Sequence, residues 1–416
     1  MANLKPKFYS SHAIDVAILI NAIGLNFIKF VPIGLIILVL AWLYESFIAK
    51  TINLDYKTKS LKKSLIILTI PFTLALLGLI HTSNLSKGFE DLSRLLPFLV
   101  FPLLLLSLPH DRKNKLLTTV LFGFTFGLFI RFGLDFYKSV INYTYDYKIQ
   151  NFFYTYLDSD TNIISIITLF SVLYLLDYLL SKNEISSREN VLIHLIVLFL
   201  SFCILLLQSR LVILFLFVSL GIIFIIYWKN KQKWSIFITG IFCGLLMLIP
   251  VFKGRFQVVA TESKKLNSTD TNIVSDSIPI ESMPCMSSGE LRLNSLKSSW
   301  KVFLQHPIIG VGTGDWSDEL VKQYIVSDMP CNAHEQTAPH NQYMRTLLKY
   351  GILGFLIYLY YIFKLLHFSS SKKLFGQIPF LLTLIFCGLG YDLLDVGSSA
   401  PFFAFFSTWL FFDEKE

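Results

Sequence analysis

Residues 191–228 read VLIHLIVLFLSFCILLLQSRLVILFLFVSLGIIFIIYW. Two apolar runs, Val191 to Leu207 and Leu211 to Trp228, are divided only by Gln208, Ser209 and Arg210. Each run approaches the roughly 20 residues that a helix needs to cross a hydrocarbon layer about 30 Å thick. Neither alternates apolar with polar residues, as barrel strands do, so backbone groups in lipid must be satisfied within each helix. The polar corner then marks the place where one helix leaves the membrane and the next enters.

Similar runs recur on both sides of this pair. They place spans near residues 14–27, 31–47, 65–80, 95–108, 116–134, 163–180, 191–207, 211–228, 235–251, 344–366, 378–394 and 401–412. The expected fold class is therefore all-α and polytopic, with about 12 transmembrane helices. Apolar residues make up 54% of the chain, which suits that reading. The first span lacks a small-residue cleavage site and is expected to stay as an anchor. No repeat of fixed period and no low-complexity tail is visible.

Orientation follows from the short basic loops. Lys50, Lys57, Lys59, Lys62 and Lys63, then Arg112, Lys113 and Lys115, then Lys229, Lys231 and Lys233, then Lys372 and Lys373 all fall on one side. That side is expected to be cytoplasmic, with both termini. The net charge of +8 is thus mostly a topology signal, divided among short loops, and no nucleic-acid surface is expected.

One long polar stretch, residues 252–339, joins the ninth and tenth spans on the outer side. The chain divides accordingly into residues 1–252 (helices one to nine), 253–339 (the outer loop, with an amphipathic helix) and 340–416 (helices ten to twelve). Cys285 and Cys331 both lie in the loop, and an oxidising compartment would let them pair. Cys203, Cys243 and Cys387 lie in spans, where a thiol is a small apolar group.

Polar residues at four outer positions invite a chemical reading. Arg210, pinned between two spans, is either a snorkelling anchor or a fixed guanidinium for a phosphate at headgroup depth. Arg292 opens a segment whose apolar positions recur at helical spacing up to Phe303. That segment is expected to lie on the membrane with Trp300 at the interface. The following Gly310-Val311-Gly312-Thr313-Gly314 looks like a phosphate cradle. It follows no strand and lacks the lysine and hydroxyl that close a P-loop, so a tight turn is the better reading. His340, at the start of a helix with Asn341, could cap that helix or act as a base; His334, in a loop without an anchoring pattern, ranks below it. Arg131 and Asp135, four apart, would pair on one helix face, and Asp392 and Asp395 could orient a basic group.

Taken together, three features resemble the O-antigen ligase and polymerase family. They are Gln208-Ser209-Arg210, the segment from Arg292 through His306-Pro307-Ile308-Ile309-Gly310-Val311-Gly312, and His340-Asn341 followed after nine residues by Gly351-Ile352-Leu353-Gly354. The last pattern looks most like the ligase branch, and the likeness is specific over residues 208–354.

The resemblance implies a glycosyltransferase of the bacterial inner membrane, working at the periplasmic face on a glycan carried by undecaprenyl diphosphate. It implies no metal, no cofactor and no nucleotide sugar. The acceptor would be a sugar of the lipid A core in a ligase and another lipid-linked repeat unit in a polymerase. Arg210, Arg292 and His340 would be catalytic; Gln208 and Asn341, with the two arginines, would bind substrate. Acceptor choice is expected in the Ser/Thr/Asp-rich stretch 257–284. A transporter would share the helix count, but the sequence shows no paired broken helices in corresponding halves, and its polar residues gather on one face.

Overall fold

The computed structural model describes residues 12–50, 59–143, 161–182, 185–207, 209–229, 234–247, 288–371 and 376–411. All regular structure among the described residues is helical. The principal helices are α1 (Ala13–Gly24), α2 (Val31–Leu43), α3 (Lys59–Leu68), α4 (Ile70–Gly78), α5 (Leu85–Leu95), α6 (Pro97–Leu105) and α7 (His110–Tyr143). They continue with α8 (Thr161–Ser181), α9 (Ser187–Leu206), α10 (Arg210–Ile226), α11 (Trp234–Met247), α12 (Ser288–Gln305), α13 (Trp316–Val326) and α14 (Pro330–His334). The last three are α15 (Gln342–Ser371), α16 (Gln377–Cys387) and α17 (Ala400–Leu410).

Five helical stretches among the described residues are long and apolar enough to cross a membrane: Ile28–Ile48, Arg112–Lys138, Thr161–Ser181, Ser187–Leu206 and Gln342–Phe368. A sixth arises if α3 and α4, bent by 52°, form one broken span. Other expected crossings are helical but shorter, such as Arg210–Ile226 and Ala400–Leu410.

α8 is apolar all round, which leaves it no face for solvent or lipid, and it is the helix that the others enclose. Phe170 at its middle packs against Phe124 of α7 and Phe402 and Phe406 of α17. Arg131 donates to Asp135 at 2.7 Å, so the expected pair on one face of α7 exists and is buried. Arg112 at the other end of α7 is more than a loop cation, because its guanidinium holds Asp15 and Glu45, each at 2.7 Å.

The described part of the long polar stretch is folded. α12, the turn that follows it, α13 and α15 share a small core of Val302, Val311, Leu320, Tyr324 and Leu348. The opposite face of α12 exposes Leu293, Trp300 and Leu304. Cys331 on α14 is disulfide-bonded; Cys285, the expected partner, lies outside the described residues. Cys203, Cys243 and Cys387 are buried free thiols.

This arm is fastened to the apolar helices at a break in α15. Gly351 has φ 62° and ψ −164°, a conformation that only glycine adopts readily. In an unbroken helix the N–H groups of Ile352 and Leu353 would donate to the carbonyls of Leu348 and Lys349. Here Ile352 donates to Pro307 (2.9 Å) and Leu353 to Ile308 (3.2 Å), while Leu348 and Lys349 accept from Val311 (3.0 Å) and Gly312 (2.9 Å). Two helix bonds are exchanged for four bonds to the His306–Gly314 turn. Backbone freed inside a membrane protein must find such partners.

Close approach explains the glycines. A Cβ on Gly310 would lie 2.4 Å from the Lys349 carbonyl carbon, and one on Gly314 would lie 2.2 Å from the Asn84 carbonyl oxygen. The turn continues to α4 and α5: Thr313 donates to Gly78 and Ala75, and Asp315 accepts from Ser83 and Asn84. Because Gly310, Val311, Gly312, Thr313 and Gly314 all donate their N–H groups within the protein, the turn has none left for a phosphate.

Candidate functional site

The site begins at the corner where the arm turns into α15. His340 has a positive φ of 49°, uncommon for a residue with a side chain and enriched at functional sites. That turn lets Asn341 cap the helix: its Oδ1 accepts from Met344 at 2.9 Å. Asn341 Nδ2 donates to the Leu389 carbonyl, and its backbone N–H donates to Asp392 Oδ1 at 3.0 Å. Capping, the alternative open for His340, is thus done by its neighbour, and His340 is left half-buried at the corner. Both polar ends of Asn341 help to hold that corner.

Arg292 reaches the same corner through the arm. Ser295, one turn along α12, donates to the carbonyl of Ala338 at 2.9 Å, two residues before His340. Tyr324 donates to Ser295 and to the Thr337 carbonyl, and Asn332 donates to the Leu291 carbonyl. These bonds tie the start of α12 to the segment that delivers His340.

The Arg210 corner is brought in by residues 388–399, between α16 and α17. Tyr391 there is 7% exposed. Its hydroxyl lies 2.8 Å from Ser209 Oγ and 3.2 Å from Asn162 Oδ1, which also accepts from Ser209 at 3.0 Å. The Arg292 guanidinium carbon stands 5.4 Å from the Tyr391 ring centre. The next residue, Asp392, holds Asn341. Two consecutive residues therefore touch the supports of Arg210, Arg292 and His340.

Helix polarity adds to this arrangement. Asn162 opens α8, Ser209 immediately precedes α10, Arg292 lies near the start of α12, and Asn341 caps α15. Helix starts carry partial positive charge, so their gathering with two arginines favours an anion at this end of the bundle. At the other end of α8, Asp177 accepts from Tyr227 and Gly376.

Beneath the corner is a buried ion network. Lys349, fully buried, contacts Asp395 at 2.6 Å and Asp91 at 2.8 Å. Arg345 pairs with Asp392 at 3.0 Å, and its guanidinium carbon lies 4.0 Å from the Trp316 ring centre. Trp316 donates to Asp91, which also holds Arg94 at 2.9 Å. Three cations thus meet three carboxylates, and such a balance is what makes buried charge tolerable. Burial opposes ionisation of Asp395, but Lys349 and then Arg345 outweigh it and bring its pKa down to about 2. Gln342 fixes the same carboxylate and accepts from the Leu394 N–H.

The expectation that Asp392 and Asp395 orient a basic group thus holds, and the groups are Arg345 and Lys349. Sequence reasoning passed over both, although two cations four apart inside an expected span are a signal in themselves. Asp91, Trp316 and Tyr391 carried no comparable signal, because their partners are remote in sequence. Gln208 lies outside the described residues, as does the stretch 257–284. His334 is exposed, beside Glu335.

The family model described as O-Antigen ligase matches residues 195–359, which include Arg210, Arg292, the glycine turn, His340 and Asn341. The match supports the O-antigen ligase and polymerase family, whose members are glycosyltransferase-like membrane proteins. No curated protein matches the chain.

Proposed function

We propose that this chain is an O-antigen ligase-like glycosyltransferase. It moves a glycan from undecaprenyl diphosphate to a hydroxyl of a lipid A core sugar, at the periplasmic face of the bacterial inner membrane. The observation that carries this reading is the Tyr391–Asp392 junction, which touches Ser209 beside Arg210, Arg292 and Asn341 beside His340. The topology that goes with it has about twelve crossings, with residues 253–339 as one periplasmic loop between the ninth and tenth.

The reaction breaks the bond between the anomeric carbon and the phosphate oxygen as the acceptor oxygen attacks from the opposite face, inverting that carbon. Negative charge develops on the departing diphosphate. Arg210 and Arg292 are fixed cations that neutralise it, with Gln208 and Asn341 completing substrate binding. They make a metal ion unnecessary for that task. His340 accepts the proton of the acceptor hydroxyl, a step worth about 10² to 10⁴ in rate. A polymerase would use the same groups with a second lipid-linked repeat unit as acceptor.

The test is the lipopolysaccharide banding of a deletion strain complemented by the wild type, by Arg210→Ala and by His340→Ala. A ligase leaves lipid A core without polymer in the deletion, restored by the wild type and by neither variant at equal membrane abundance. Core bearing one repeat unit means a polymerase. Activity retained by His340→Ala removes it as the base, and unchanged banding in the deletion overturns the lipopolysaccharide reading.

A further inference from the structure

We infer that Tyr391 is a positioning residue that joins Arg210 and Arg292 into one preformed anion site. The inference rests on the diphosphate reading above and deepens it. Tyr391 lies outside the stretch matched by the family model, residues 195–359, and nothing in the local sequence marks it. Its ring lies beneath the Arg292 guanidinium at 5.4 Å, and its hydroxyl holds Ser209, the residue before Arg210. Asn162 Oδ1 stands 3.0 Å from Ser209 Oγ and 3.2 Å from the Tyr391 hydroxyl, so one hydrogen-bonded triad, with two protons shared among three contacts, fixes the α8 start, the α10 start and the ring.

The choice of side chain has a physical reason. Two like charges brought together before substrate arrives repel one another, and something must hold them. A carboxylate placed between them would hold them well, but it would cancel charge meant for the diphosphate. A tyrosine ring attracts a guanidinium through its quadrupole and leaves the net charge intact. Its hydroxyl adds a directional bond to the second corner. Burial raises the pKa of that hydroxyl, so it stays neutral at physiological pH. The two cations are thereby arranged before binding, which removes a reorganisation that would otherwise weaken affinity.

The chain beyond Tyr391 explains why the ring itself is rigid. Asp392 is held by the Asn341 N–H and by Arg345, and Arg345 is stacked on Trp316. The ring is therefore anchored on one side by the buried ion network and on the other by the Asn162–Ser209 pair.

The test uses the full chain in nanodiscs and measures affinity for undecaprenyl diphosphate without a glycan. The proteins are the wild type, Tyr391→Phe, Tyr391→Leu, Arg292→Ala and the double variant Tyr391→Leu/Arg292→Ala, each checked for thermal stability. Tyr391→Phe keeps the ring and is expected to bind about 5-fold more weakly, as for one lost hydrogen bond. Tyr391→Leu is expected to lose about as much as Arg292→Ala, and the double variant little more than either, because the two act as one unit. Fully additive losses, or equal loss in the Phe and Leu variants with lowered stability, overturn the inference while leaving the diphosphate reading intact. Absence of carrier binding by a stable wild type overturns both.

Discussion

Replacing Gly351 by alanine tests whether the exchange of hydrogen bonds at the α15 break holds the arm on the bundle. With the native backbone, the new Cβ would stand 2.3 Å from the Ile308 carbonyl oxygen and 2.6 Å from the Gly310 nitrogen. No contact of that length survives, so the turn must move. The backbone conformation costs a residue with a side chain about 1–3 kcal/mol. Moving Ile308 away breaks at least the bonds from Ile352 to Pro307 and from Leu353 to Ile308, each worth about 1 kcal/mol net. The sum is about 3–5 kcal/mol. A chain of this size shifts by about 2 °C per kcal/mol, so the melting temperature in detergent should fall by about 6–10 °C.

The chain has an alternative to strain, because alanine favours helix and α15 could straighten through position 351. The carbonyls of Leu348 and Lys349 would then recover their helical partners, and the turn from Pro307 to Gly312 would be orphaned. His340 and Arg292 would separate from the Arg210 corner. Transfer activity should be lost in either case. Gly221→Ala on α10 is the control, since a Cβ there meets nothing within 4 Å; it should leave stability unchanged or raised by up to about 1 kcal/mol. A Gly351→Ala protein with the melting temperature and activity of the wild type would refute the clasp.

Three further expectations follow from other parts of the molecule. Lys349→Met leaves Asp91 and Asp395 facing each other in a buried place and should cost about 3–5 kcal/mol, with Asp395→Asn added in the same chain recovering part of the loss; a double variant no more stable than the single would refute the network. Asp395 ionises in the folded protein at about 2, below its unfolded value near 3.9, so its contribution is present above pH 4 and fades as pH falls toward 2. Acid unfolding should therefore steepen over that window in the wild type and be flatter in Lys349→Met/Asp395→Asn. Thiol titration of the denatured, unreduced protein should find the three free cysteines Cys203, Cys243 and Cys387, and reduction should lower stability by about 2–4 kcal/mol.

The helical class and much of the site were legible in the sequence because both depend on local signals. Apolar runs such as 191–207 announce helices by length alone. Arg210 stands out because an arginine between two such runs has few places to go. His340-Asn341 and Gly351 lie in one stretch of chain, so their spacing could be read directly, although not its cause. That cause is the exchanged hydrogen bonding between residues 307–312 and 348–353, which requires the turn to fold back onto the helix. The number of helices long enough to cross was less legible, since hydropathy measures composition and not where a helix ends or bends.

The amino-acid sequence by itself determined that this chain must be helical, because long apolar runs can satisfy their backbone in lipid only within each helix. It also marked which residues between the apolar runs could carry charge or accept a proton. Tertiary structure alone decided that Tyr391 and Asp392 stand between them, that Arg345 and Lys349 are neutralised by carboxylates from elsewhere in the chain, and that the glycine turn repairs a broken helix. Those outcomes depend on pairings across tens to hundreds of residues, and neither the periodicity nor the composition of any one segment encodes its partner.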